Sequence, residues 1–189
     1  MSDDLNLLGI SGSLRRGSYN TSLLETIKTL LPPGMTLEIV TPIAIPVYNG
    51  DDEDQTGIPP SALELVGRIR VAHAVVIATP EYNFSIPGGL KNAIDWVSRV
   101  KQQPFRHKRV GVVGASGGPI GTARSQYHLR QTLQALEAYV MPRPEVFVSN
   151  AQTKFADDGT LTDEATRKVL ETWLKHFDSF IRGAIGNRQ

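Results

Sequence analysis

Between Gly9 and Ser22 the chain reads GISGSLRRGSYNTS, a run dense in glycine, hydroxyl side chains and arginine. It follows an apolar stretch and leads into a helical pattern. Ser11, Ser13, Ser18, Thr21, the amide of Asn20, and Arg15 with Arg16 therefore gather near a helix N-terminus. Backbone N–H groups there point outward with partial positive charge and suit a phosphate monoester. An arginine can add a bidentate contact. Gly12 and Gly17 have the spacing of a Walker A loop, but Ser18-Tyr19 stands where Lys-Ser/Thr is required, so triphosphate hydrolysis is not supported. No Gly-x-Gly-x-x-Gly is present either. A plainer account is that Ser18 or Asn20 caps the helix and the arginines are solvated. At this point a nucleotide, a flavin phosphate and a simple helix cap all remain open.

Two further loops carry unusual residues. Pro80-Glu81-Tyr82-Asn83-Phe84-Ser85-Ile86-Pro87-Gly88 is stiffened by two prolines and holds two aromatics where turns are ordinarily small and polar. A flat heteroaromatic ligand could rest there, its polar edge read by backbone groups. Taken singly, Tyr82 and Phe84 are as well explained by packing against neighbouring elements or a second subunit. Gly114-Ala115-Ser116-Gly117-Gly118 matches the nucleophile-elbow pattern G-x-S-x-G. Its triad partners would have to be Asp157, Asp158 or Asp163 with His176, and His176 falls within a helical pattern. A glycine-rich turn offering backbone donors to a ligand is the better account. His73, His107, His128 and His176 show no metal-ligand spacing, and Asp51-Asp52-Glu53-Asp54 lacks an EF-hand pattern and reads as a solvated loop. Arg124 and Tyr127 share a helix with His128 and Arg130, which suits a surface or an interface.

The elements that must position these loops alternate between strand and helix. Leu5–Ile10, Leu37–Val40, Ala74–Thr79, Arg109–Gly114 and Glu145–Val148 read as five strands. Helical stripes run through Leu23, Leu24, Ile27, Leu30 and Leu31, ended by Pro32-Pro33-Gly34, and through Ala62–Arg70. Others follow Leu90, Ala93, Ile94 and Val97, then Leu129, Leu133, Leu136 and Val140, then Val169, Leu170, Trp173, Phe177 and Ile181. Lys91, Asp95 and Arg99 lie four apart on a wet face, Thr160-x-x-Asp163 resembles a capping box, and Thr41–Pro60 is loop, broken by prolines and glycines. The expectation is an α/β, flavodoxin-like three-layer sandwich over residues 1–189. Its five-stranded parallel sheet has order 2-1-3-4-5, with helices on both faces. Ligands then bind beyond the carboxyl ends of the strands.

The 189 residues, 40% hydrophobic, suffice for one domain with a substantial core. A net charge of +1 gives no electrostatic reason to expect nucleic acid or an anionic membrane as partner. No apolar run reaches the roughly 20 residues of a membrane helix. The acidic start MSDDLNLL lacks the pattern of a signal peptide, so a cytoplasmic protein is expected. Without cysteine, thiolate and iron–sulfur chemistry are excluded, and any redox chemistry falls to a bound cofactor.

Taken together, Ser11–Asn20, Pro80–Trp96 (PEYNFSIPGGLKNAIDW) and Ala115–Arg124 resemble the NADPH-dependent FMN reductase family, most closely its quinone, azo and chromate reductase branch. The resemblance implies a flavodoxin-like fold, bound FMN, NADPH or NADH as reductant, small-molecule electron acceptors, and a homodimer or a homotetramer built as a dimer of dimers. By the same resemblance, Ser11, Ser13, Arg15, Ser18, Asn20 and Thr21 hold the FMN phosphate, beside Tyr19, where relatives often carry phenylalanine. Pro80, Glu81, Tyr82, Asn83 and Phe84 line the isoalloxazine ring. Ser116, Gly117 and Gly118 close its other side, in a loop more glycine-rich than in some relatives. Arg124, Tyr127 and Glu145 match a segment used in the tetramer contact of relatives. The implied chemistry is ping-pong hydride transfer through FMN; an FMN-binding electron carrier without direct nicotinamide reaction is the alternative.

Overall fold

In the computed structural model, residues 4–42 and 44–186 are described; Met1–Asp3 of the acidic start and Ile43 of the expected loop lie outside them. Apolar runs with little helical periodicity form the strands β1 (Leu5–Ser11), β2 (Met35–Val40), β3 (Ala74–Ala78) and β4 (Arg109–Ala115). All of β3 is buried, as a strand covered on both faces must be. With β5 at Tyr139–Val140, the order is β2-β1-β3-β4-β5 and every pairing in the sheet is parallel, with Ile10 opposite Val40 and Ile77, and Ala78 opposite Val113. This is the expected flavodoxin-like order.

The last position of the sheet differs from the expectation of one strand over 145–148. It is divided between β5 (Tyr139–Val140), which pairs with Arg109–Val110, and β6 (Val146–Val148), which pairs with Val113–Ala115. Pro142 and Pro144 separate the two, and proline has no N–H to give a ladder. Val140 therefore belongs to the sheet and not to the helical stripe assigned to it. The preceding helix stops at Ala135, and Glu137 takes a left-handed φ of 56° that a helix cannot continue through.

Helices cover both faces. Leu23, Leu24 and Ile27 of α1 (Tyr19–Thr29) and Trp173, Phe177 and Ile181 of α6 (Glu164–Gly186) pack on one side with Leu5, Leu7 and Val76. On the other side, Ile69 of α3 (Pro60–Val71), Ile94 of α4 (Gly88–Ser98) and Leu133 of α5 (Ala123–Ala135) meet Leu8, Ile77 and Val112. Each such side chain removed from water contributes about 1.5–3 kcal/mol. Val169 is 46% exposed and falls off the α6 stripe.

Three local expectations are corrected. The acidic run is helical, α2 (Gly50–Thr56), because Asn49 caps it by accepting the Asp51 N–H and the carboxylates complement its N-terminal dipole. Arg99 does not extend the Lys91–Asp95 pair (2.7 Å) but reaches Glu53 at 2.9 Å, so Glu53 is tied down and not simply solvated. The cap of α6 is Asp163, whose carboxylate accepts the Thr166 N–H at 2.7 Å, and Thr160 takes no part in it.

Candidate functional site

The β1–α1 loop is built around buried polar groups. Ser11, Ser13, Ser18 and Asn20 are each at most 4% exposed, a burial that is costly unless every group is paired. Ser18 is the N-cap of α1, its Oγ accepting the Asn20 and Thr21 N–H groups at 3.2 and 3.4 Å. Ser11 Oγ and Thr21 Oγ1 share a hydrogen bond of 2.8 Å. Ser13 Oγ accepts the Arg15 N–H at 3.3 Å. Asn20 spans the gap to β4: its Nδ2 donates to the Ala115 carbonyl and its Oδ1 accepts the Ala115 N–H, both at 2.9 Å. The capping role weighed for Ser18 is thus real, yet Ser13 and Ser18 accept these bonds with oxygen lone pairs and keep their own hydroxyl protons to donate.

Three strand-end loops meet here. An opening of about 300 Å³ is lined by Ser13, Arg15, Ser18, Tyr19, Asn20, Pro80, Glu81, Tyr82, Ala115, Ser116, Gly117 and Gln152. A second, of about 550 Å³, shares Glu81, Ser116 and Gly117 with it and adds Asn83, Phe84, Gly118, Pro119, Ile120, Gly121 and Arg124. Ser11 and Thr21 line neither; they bond to each other, and Thr21 donates its N–H to the capping Ser18. Arg16 is absent from both walls, so of the two arginines Arg15 faces the opening. The Tyr19 ring packs on Phe155 with centroids 5.6 Å apart.

The β3–α4 loop is a tight hairpin, with Tyr82 and Ser85 exchanging backbone hydrogen bonds of 3.2 and 3.0 Å. Glu81 turns away from solvent, its carboxylate accepting the Arg124 and Ser125 N–H groups at 3.0 and 3.1 Å. It thereby caps α5, where the Thr122 side chain makes no capping bond and instead accepts from Gln126. In the β4–α5 loop Ser116 donates its hydroxyl to the Gly121 carbonyl, and His176 bonds its own helix through Thr172. Among the described residues no histidine bonds Ser116, so the nucleophile elbow is not assembled. Gly114 has a packing reason: a Cβ there would lie 2.5 Å from the Thr79 carbonyl oxygen.

The interface candidates separate. Arg124 faces the larger opening, 3.7 Å from Glu81 and with its guanidinium 3.9 Å from the Phe84 ring centroid. Tyr127 is half-exposed beside Phe147, and Glu145 pairs with Arg143 at 3.5 Å. Between them Arg130 donates to the Met141 carbonyl; burial lowers its pKa and Glu145 partly restores it.

Gln152 is not among the expected site residues, and Pro119–Gly121 enter only within the Ala115–Arg124 segment that carries the resemblance. Gln152 lies on a short 3-10 turn, Ala151–Thr153, after β6. Its position beyond a strand's carboxyl end was the available signal. A larger depression, about 640 Å³, lies at the opposite edge beside Arg70, His73 and Lys108. There Lys108 Nζ donates to the Ala72 carbonyl at 2.5 Å, satisfying the C-terminal end of α3. Among the described residues there is no metal-binding cluster of His, Asp and Glu, and no helix long and apolar enough to cross a membrane.

A doubly wound parallel sheet of order β2-β1-β3-β4-β5, with two openings side by side beyond its carboxyl edge, defines a flavodoxin-like protein. The chain belongs to the NADPH-dependent FMN reductase family, whose model matches residues 5–153. It is an oxidoreductase whose cofactors are FMN and NAD(P)H. It is 47% identical over 182 residues to an NAD(P)H-dependent FMN reductase of Pseudomonas aeruginosa, covering 96% of this chain and 98% of the relative. A quinone reductase of Escherichia coli is 43% identical over 184 residues, with 96% and 98% covered. Among solved structures, FerB, an NAD(P)H:(acceptor) oxidoreductase from Paracoccus denitrificans, superposes with a TM-score of 0.84. The two share 34% identity, and the match covers 95% of this chain and 98% of that one.

Proposed function

We propose that this protein passes two electrons from NADPH or NADH, by a ping-pong route through FMN, to quinones, azo compounds, chromate or free flavin. The observation that carries the reading is the pair of joined openings, one polar and capped by α1, the other walled by Phe84, Pro119 and Ile120. The donor set suits a phosphate dianion, because Ser13 and Ser18 retain hydroxyl protons and Arg15 lines the same wall. In this reading Ser13, Arg15, Ser18 and Asn20 hold the phosphate, and Ser11 and Thr21 fix the loop that presents them. The backbone of Pro80–Tyr82 and the turn Ser116–Gly118 border the ring. FMN held there would supply the hydride chemistry between nicotinamide and acceptor. The chain binds, orients and shields; no acid–base pair is required of it.

Assembly into two or four copies through Arg124 and Tyr127 of α5 together with Glu145, just before β6, and a cytoplasmic setting in keeping with the absence of cysteine, belong to the same reading. Anaerobic stopped-flow mixing of FMN-loaded protein with each nicotinamide tests the central claim. Rapid bleaching of the flavin absorbance is expected. Protein that binds FMN but is not bleached would instead be an electron carrier, and protein that takes up no FMN would overturn both.

A further inference from the structure

The hairpin Tyr82–Ser85 contains a residue that its own backbone disfavours. Asn83 and Phe84 occupy the two central positions with φ of 49° and 64°. Asparagine tolerates that conformation, but the second position of such a turn favours glycine, and a bulky aromatic there is strained. Burial does not compensate, since Phe84 is 63% exposed.

What holds the ring lies on α5. The Arg124 guanidinium sits 3.9 Å from the ring centroid, a cation–π contact. Arg124 is steadied in turn by Glu81 at 3.7 Å, and the Glu81 side chain is only 11% exposed because it caps α5. Ser85 Oγ meets His128 Nδ1 at 3.0 Å, one turn further along the same helix. The turn is therefore fixed to α5 at three points, and Phe84 stands as a wall of the larger opening with Pro119 and Ile120.

We propose that Arg124 is a positioning residue that holds the Phe84 ring against the acceptor's place, so that the site favours flat conjugated acceptors over compact ones. The inference rests on the reductase reading. Arg124 occupies one face of the ring; the opposite face and the edge remain for stacked or edge-to-face contact with a planar molecule. Without Arg124 the hairpin keeps its backbone bonds, but the ring is free to leave the wall by rotation about χ1.

The test is steady-state turnover of the FMN-loaded full chain with 1,4-naphthoquinone, which is flat, and ferricyanide, which is compact and octahedral. In Arg124→Gln the KM for naphthoquinone should rise about fivefold relative to that for ferricyanide, the scale of one aromatic contact. Phe84→Leu, which keeps an apolar wall but no aromatic face, should show the same signature. Arg124→Lys keeps a cation over the ring and should restore the ratio. Equal effects on both acceptors, or a lysine variant no better than the glutamine one, would overturn the proposal. So would a changed ratio that accompanies altered sedimentation in Arg124→Gln and is missing in Phe84→Leu. Wild-type protein that reduces neither acceptor would sink the reductase reading itself, a different result from turnover without discrimination.

Discussion

Asn20 and Ala115, 95 positions apart, exchange two hydrogen bonds of 2.9 Å and thereby join the β1–α1 loop to the end of β4. The amide saturates the N–H and carbonyl of one buried residue, which no other short side chain does with the same geometry. Asn20→Ala should cost about 2–4 kcal/mol, since it leaves two buried backbone groups unpaired. Urea unfolding measures it. A loss below 1 kcal/mol would mean that water replaces the amide.

Arg15 and Arg16 are adjacent but differ in outlook, since only Arg15 lines the polar opening. Arg15→Ala should weaken FMN binding by about 1.5–3 kcal/mol, the worth of a charged hydrogen bond, with a much smaller effect for Arg16→Ala. Flavin fluorescence titration reads both, and the reverse ranking would reassign the phosphate contact.

Ser116 has its hydroxyl on the Gly121 carbonyl and no histidine partner among the described residues. A fluorophosphonate probe should leave it unlabelled. Gly114→Ala should destabilise the fold by about 3 kcal/mol, because the added Cβ meets a backbone oxygen that cannot give way. Labelling at Ser116 would revive the nucleophile-elbow reading of Gly114–Gly118.

Acid should act first on carboxylates that the fold holds in their charged form. The Thr166 hydroxyl and N–H lower the pKa of Asp163, and the Arg106 guanidinium lowers that of Glu137. Their stabilisation is present above the unfolded carboxylate range and is lost as pH falls through the lower folded values. Asp163→Asn still caps α6 but does not titrate, so its melting temperature should fall less steeply on acidification than that of the parent. Parallel curves would remove Asp163 from the acid response.

Arg124→Ala should shift a tetramer toward dimers in sedimentation velocity if the α5 face joins copies. An unchanged profile would leave Arg124 to the cleft alone.

The sheet order and both core faces were legible because buried strands and amphipathic helices have different periods, as Ala74–Ala78 and Trp173–Phe177–Ile181 illustrate. The three strand-end loops announced themselves through glycine, hydroxyl and aromatic residues out of place in ordinary turns. What escaped depends on contacts distant in sequence. The helix at Gly50–Thr56 is held through Glu53 by Arg99, 46 residues on. The split of the last strand mimicked a helix because Leu136 and Val140 happen to be four apart. Gln152 carries no motif; its place follows from the sheet alone.

The β1–α1 loop is a socket and not a mould. Its buried hydroxyls and amide already have partners within the chain, in the Ser11–Thr21, Ser18–Asn20 and Asn20–Ala115 pairs. A loop satisfied in this way does not depend on a guest to exist, so on the proposed reading it should keep one shape with and without FMN. On that reading a flavin that leaves would find the same seat on return, and the distinction between a resident cofactor and a passing substrate would become one of residence time.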